Sequence, residues 1–198
     1  MSESTKHSIP GYDFASPQSA TFPVSMDELR RLEQTLGWSG EDERLLRKHI
    51  EFFRSQAESM VDAWRRVIGA QPHLAQWFVG PDGNPDDEYK ARVKKRFVQW
   101  VVDVAARPHD QAWLDYQEEI GLRHTPEKKN KTDNRRTPAN VPLRYLIAFV
   151  PVVTDIRRFL DPVIRDGAEL IAVERAWTKA VHLHITLWCH PYTKQGLW

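Results

Sequence analysis

Apolar residues in this chain recur at steps of three and four, and no useful length alternates with a period of two. That pattern predicts an all-α fold. The longest run opens at Ser39 and carries Leu45, Leu46, Ile50, Phe53, Ala57, Met60, Val61, Trp64 and Ile68 before ending near Gly69. A shorter helix precedes it: Ser25 and Glu28 have capping-box spacing, Leu29, Leu32 and Leu36 form the stripe, and Gly37 stands at the C-cap position. The N-terminal 24 residues read as an arm, because Pro10, Gly11, Pro17 and Pro23 interrupt any regular element while Tyr12, Phe14 and Phe22 offer rings to pin it down. Residues 25–198 read as one domain.

Further along, Pro72 opens a short helical segment through Phe78, and PDGNPDD breaks the chain. Tyr89, Val93, Phe97, Trp100, Val101 and Val104 make one stripe that Pro108 closes. Another helix covers about residues 110–124, with Trp113, Tyr116, Ile120 and His124 on one face. After the polar TPEKKNKTDNRRTPAN loop, Pro142 starts a helix in which Pro151 predicts a kink or break. The last helix spans about Ala168 to Trp188. Six or seven helices of unequal length suit oblique, globin-like packing better than a regular bundle.

Charge and motifs narrow the chemistry. With Lys+Arg 28 against Asp+Glu 27, the chain has no global pull towards nucleic acid or anionic membrane. No apolar run is long enough to span a bilayer and residues 1–25 lack a secretory h-region, so a cytoplasmic location is expected. The one cysteine, Cys189, excludes a disulfide framework, and Cys189-His190 alone has no zinc-site spacing. The basic clusters at Lys90–Arg96 and Lys128–Arg136 lack interleaved aromatics. They read as solvated faces, or as cations at a pocket mouth that would meet ligand carboxylates. His182 and His184, two apart on a helix, point in different directions.

His124 differs from these histidines. It shares a face with Trp113 and Ile120, so it points inward, where a histidine is either a satisfied core residue or a metal ligand. Gly121, nearly one turn earlier, would let a flat object approach the helix. Trp64 and Phe97 lie on the buried stripes of two other helices, and neither can ligate iron. One histidine facing two such rings across a slot would suit a haem with an open sixth position, held non-covalently because no C-x-x-C-H is present.

These residues belong to a pattern that resembles the protoglobins, single-domain relatives of the globin-coupled sensors. The matching segments are IPGYDF at 9–14, DAW at 62–64, PHL at 72–74, PDGNP at 81–85 and KKRF at 94–97 with Trp100. DQAWLDYQEEIGLRH at 110–124 is the longest, followed by KKN at 128–130, TDN at 132–134, RYLIAF at 144–149 and HPYTK at 190–194. The resemblance implies a globin-like fold with an extra N-terminal helix and an N-terminal arm that buries the haem. It implies His124 as proximal ligand, Trp64 and Phe97 on the distal side, and Phe149 and Val153 near the haem. It further implies reversible binding of O2, CO and NO, a homodimer through the last two long helices, and only a local kink at Pro151.

Two departures stand out. Arg65 follows the distal tryptophan where relatives carry tyrosine, so it either donates to a bound ligand from the distal pocket or packs its stem and turns its guanidinium away. Thr125 follows His124 where relatives often have a second histidine. Alternatives to a gas-binding globin are a haem enzyme acting on peroxide, nitrite or NO, a sensor signalling in trans, and a haem-free helical interaction module. A chain of this length leaves no room for a fused output domain, so a direct sensor–enzyme fusion is not expected.

Overall fold

The protein is described by a computed structural model over residues 9–193 and 198. Lys194, the last residue of the HPYTK match, and the first eight residues of the arm lie outside the described residues. Among those described, the secondary structure is helical apart from a single bridge between Val79 and Pro85 that closes the PDGN turn. The helices are α1 (Met26–Leu36), α2 (Gly40–Lys48), α3 (Ile50–Gly69), α4 (Pro72–Ala75), α5 (Asp87–Ala106), α6 (Gln111–Leu122), α7 (Leu143–Thr154), α8 (Arg157–Leu160) and α9 (Gly167–Trp188).

The ends of α1 follow from the sequence. The Ser25 side chain accepts the Glu28 amide, and Gly37 takes the left-handed conformation at φ 64° that a residue with a Cβ adopts only with strain. The periodic run from Ser39 behaves differently. It is two helices, α2 and α3, which meet at His49. No proline or glycine marks that junction. His49 Nε2 instead pairs with Glu169 Oε1 of α9 at 2.7 Å, a long-range contact that periodicity cannot show. Pro151 leaves α7 continuous, because it lies in the last turn and the carbonyl it deprives, on exposed Ile147, can face water.

α9 is the central helix. Trp177 and Val173 face a large core shared with α2, α3, α5 and α7, while Leu183 and Leu187 face a second core made with Phe22, Leu29 and Trp113. Apolar residues therefore surround much of its circumference, as burial on both sides requires. Trp177 is fully buried, stacks on Phe53 at 5.1 Å and donates its Nε1 proton to Val153 O at 2.9 Å.

Gly121 serves helix packing and not access to a ligand. A Cβ there would meet Pro191 Cγ at 3.0 Å and Trp188 O at 3.2 Å, so the missing side chain lets the end of α9 close on α6. Gly121→Ala is expected to destabilise the fold. Restored helix propensity returns about 1 kcal/mol, but crowding a backbone carbonyl and a proline ring costs about 1–3 kcal/mol. A lower urea midpoint would show it.

Candidate functional site

A cavity of about 260 Å³, counted only at positions a water centre can reach, lies between α5, α6, α7 and α9. Most of its wall is apolar: Val93, Phe97 and Trp100 from α5, Ile120 from α6, Leu146, Phe149, Val150 and Val153 from α7, and Val181, Ile185 and Trp188 from α9. A polar part of the wall carries Tyr12, Arg96, Asp103, Arg123, Lys129 and Thr132.

His124 borders this space just beyond the end of α6. Its amide donates to Gly121 O at 3.0 Å, and its carbonyl accepts from Val141 N at 2.9 Å and from the Tyr192 hydroxyl at 3.1 Å. Its Nδ1 lies 2.9 Å from Ile120 O. A carbonyl can only accept, so the ring proton is on Nδ1 and Nε2 keeps its lone pair. Burial holds the imidazole neutral, with its pKa lowered to about 4. A neutral imidazole fixed by donating its other N–H to a backbone carbonyl is the arrangement that metal-binding histidines adopt. Among the described residues no group of three or more His, Cys, Asp or Glu side chains could hold a metal ion, so His124 has no cluster of such ligands around it.

The other residues singled out by sequence divide. Phe97, Phe149 and Val153 are in the cavity wall, whereas Trp64 is not: it is buried behind Phe97, with ring centroids 5.4 Å apart and its Nε1 without a partner. Arg65 also lies outside the wall. Its Nη2 donates to Lys90 O on α5 at 3.3 Å, the turned-away alternative, and that carbonyl partner removes the need to bury a lone guanidinium.

The basic clusters were only partly solvated faces. Arg96 of α5 and Asp133 of the following loop form a two-armed pair at 3.0 and 2.5 Å, and Arg96 also donates to Pro10 O at 2.8 Å. Lys129 is buried, donating to Trp77 O at 2.9 Å and Thr137 Oγ1 at 2.7 Å, and burial lowers its pKa to about 8. An ammonium has three N–H donors, so one is left over. Arg123, already paired with Asp13 and Glu119, completes the cationic side of the cavity.

The arm closes this end. Tyr12 donates to Asp103 Oδ2 at 2.5 Å and accepts from Arg107, whose guanidinium lies 3.5 Å over the Phe14 ring. Tyr12 is thus a cavity wall as well as the anchor that its ring suggests, and its place in IPGYDF is the sequence signal for that second role.

His184, which sequence sets apart from His182 by direction alone, is buried among tryptophan rings. It is 1% exposed, and burial lowers its pKa to about 3. The unfolded chain, with an ordinary histidine near 6.5, therefore binds a proton that the folded chain refuses. Stability contributed by neutral His184 is complete above pH about 6.5 and is lost as pH falls towards 3. Urea titrations at pH 7 and pH 5 are expected to show a larger loss for the wild type than for His184→Gln.

An apolar slot, one imidazole lone pair at its border and a cationic side together fit a flat macrocycle that carries iron at its centre and carboxylates at its edge. The family comparison points the same way. The globin domain of a Geobacter sulfurreducens globin-coupled sensor superposes with a TM-score of 0.67 at 16% identity, covering 86% of this chain and 99% of that one. At that identity the likeness establishes the globin fold and nothing finer. A search of curated proteins finds no match. No helix among the described residues is long and apolar enough to cross a membrane. The protoglobin family model matches residues 25–198, which implies a haem cofactor. The chain belongs to the protoglobin family.

Proposed function

We propose that this protein is a globin that binds haem b non-covalently and takes up diatomic gases reversibly, with His124 as the axial ligand. The observation that carries this reading is the His124 imidazole, neutral, held through Nδ1 by Ile120 and bordering an apolar cavity. When bound, the haem would supply an iron able to bind O2, CO or NO.

The chain's own residues would do the rest. Phe97, Phe149 and Val153 give the macrocycle an apolar surface and exclude water. Lys129, with its spare N–H, is the best placed cation for a haem carboxylate, and Arg96 and Arg123 add positive charge beside it. Trp64 would shape the distal side from behind Phe97. Through Tyr12 the arm would cover the haem edge, with 25–198 as the haem domain. Cys189 is not in the cavity wall, which supports non-covalent attachment. Exposed Ile147 on α7 and Ile171 on α9 support pairing of two copies through these helices.

Gas binding is tested by absorption spectra of the reduced, haem-loaded protein as O2 and CO are added and removed. Reversible shifts with each gas are expected; irreversible oxidation on first exposure to O2, or no change with CO, would contradict the reading. Because Arg65 is turned to Lys90 O, Arg65→Ala is expected to leave the O2 and CO off-rates near those of the wild type. A selective rise in the O2 off-rate would place the guanidinium at the ligand.

A further inference from the structure

Close packing of apolar side chains does not account for the ring assembly that leads away from the cavity. His184 lies edge-on to Trp100, Trp113 and Trp188, at centroid distances of 5.7, 5.2 and 5.7 Å. Trp100 Nε1 donates to His184 Nδ1 at 3.0 Å, so the proton of the neutral imidazole is on Nε2, which is buried without a hydrogen-bond partner among the described residues. A phenylalanine here would leave Trp100 Nε1 without its acceptor, so the imidazole serves the indole at the expense of its own unpaired N–H. Beyond Trp113, His109 stacks on it at 4.0 Å, and Trp38 stacks on His109 at 5.0 Å. Trp38 is half-buried and so reaches the surface. At the other end Trp100 and Trp188 are cavity walls, and Trp188 stacks on His124 at 5.9 Å.

We propose that Trp38, Trp113 and the Trp100–Trp188 pair, bridged by His109 and His184, form a relay that carries single electrons from the protein surface to the cavity. The proposal rests on the haem reading above, which supplies a redox partner at the inner end. The two imidazoles fill the gaps between successive indoles and keep the rings in contact. When Trp100 gives up an electron, the hydrogen bond from its indole N–H to His184 Nδ1 strengthens and steadies the charge until an electron arrives from Trp113. The positive hole moves outward to Trp38, where a soluble one-electron reductant such as ascorbate refills it. The oxidant is a hydroperoxide in the cavity. Breaking its O–O bond consumes two electrons, delivered singly along the relay, and two protons from solvent, leaving water and an alcohol, or two waters when the oxidant is hydrogen peroxide.

The test mixes haem-loaded protein with hydrogen peroxide, freeze-quenches it for electron paramagnetic resonance with and without ring-deuterated tryptophan, and maps oxidised residues by peptide mass spectrometry. A tryptophan radical and oxidation at Trp38 are expected in the wild type. Trp113→Phe is expected to abolish the Trp38 mark and retain oxidation at the cavity wall. Trp38→Phe, a substitution near the surface, is expected to slow refilling by ascorbate and prolong the radical. A radical confined to the tyrosines of the cavity wall, Tyr12, Tyr89, Tyr116 and Tyr145, or a Trp38 mark that survives Trp113→Phe, would overturn the relay. Failure of the wild type to form a haem absorption band would overturn the cofactor reading and the relay with it, whereas a haem band without Trp38 oxidation would overturn the relay alone.

Discussion

His124→Ala is expected to lower haem affinity at least about a hundredfold, because even the outer partners of a metal-ligating histidine are worth about 10–100-fold. The wild-type ring has one nitrogen bonded to Ile120 O and no hydrogen-bond partner for the other among the described residues, so its removal deletes the proposed iron ligand and leaves the helix end intact. The backbone at 124 keeps its bonds to Gly121, Val141 and Tyr192, which are independent of the side chain. The variant should therefore retain its helical circular dichroism. Added imidazole should enter the vacated space and restore much of the haem spectrum. Unchanged haem content and spectrum in the variant would show that another residue is the ligand.

The second large effect concerns the pair that joins α5 to the loop after α6. Asp133 has a side chain 1% exposed and holds Arg96 with two hydrogen bonds. Asp133→Ala leaves the guanidinium buried with Pro10 O as its remaining partner, an uncompensated charge that costs about 3–5 kcal/mol. The remaining carbonyl bond and the 12% exposure of Arg96 place the expected loss at the lower end, about 3 kcal/mol. Urea unfolding measures it. The double variant Arg96→Met with Asp133→Leu should recover most of the loss, since apolar replacement of a buried pair is often neutral. Because Arg96 also holds Pro10, the single variant should loosen the arm and weaken haem binding in parallel.

What could be read in advance was whatever depends on neighbours in sequence. Ser25 and Gly37 bound α1 through their own hydrogen bonds and backbone angles, and the stripe through Trp177 is a local period. His124 was legible for the same reason: one helical face carried it inward. Features set by distant segments were not. His49, where the periodic run breaks, is paired with Glu169, and buried Lys129 donates to Trp77 and Thr137. Arg96 and Asp133 meet across 37 residues, so each looked like a surface charge in its own cluster. Gly121 shows the opposite failure. Its position near His124 suggested access for a ligand, but the atoms that need the space belong to Trp188 and Pro191, about seventy residues away in sequence. Trp64 was placed on the distal side by the stripe and the family pattern, while Arg65 beside it on α3 was open between the pocket and a turned-away position; Trp64 packs against Phe97, which is in the cavity wall, and Lys90 O takes the arginine.

The central claim is that this chain binds one haem through His124 at the cavity between α5, α6, α7 and α9. A titration of the protein with haemin, followed by reduction and addition of CO, tests it most directly. The expected result is a sharp Soret band that saturates at one haem per chain and shifts cleanly with CO. A spectrum that stays that of free haemin throughout the titration would contradict the account.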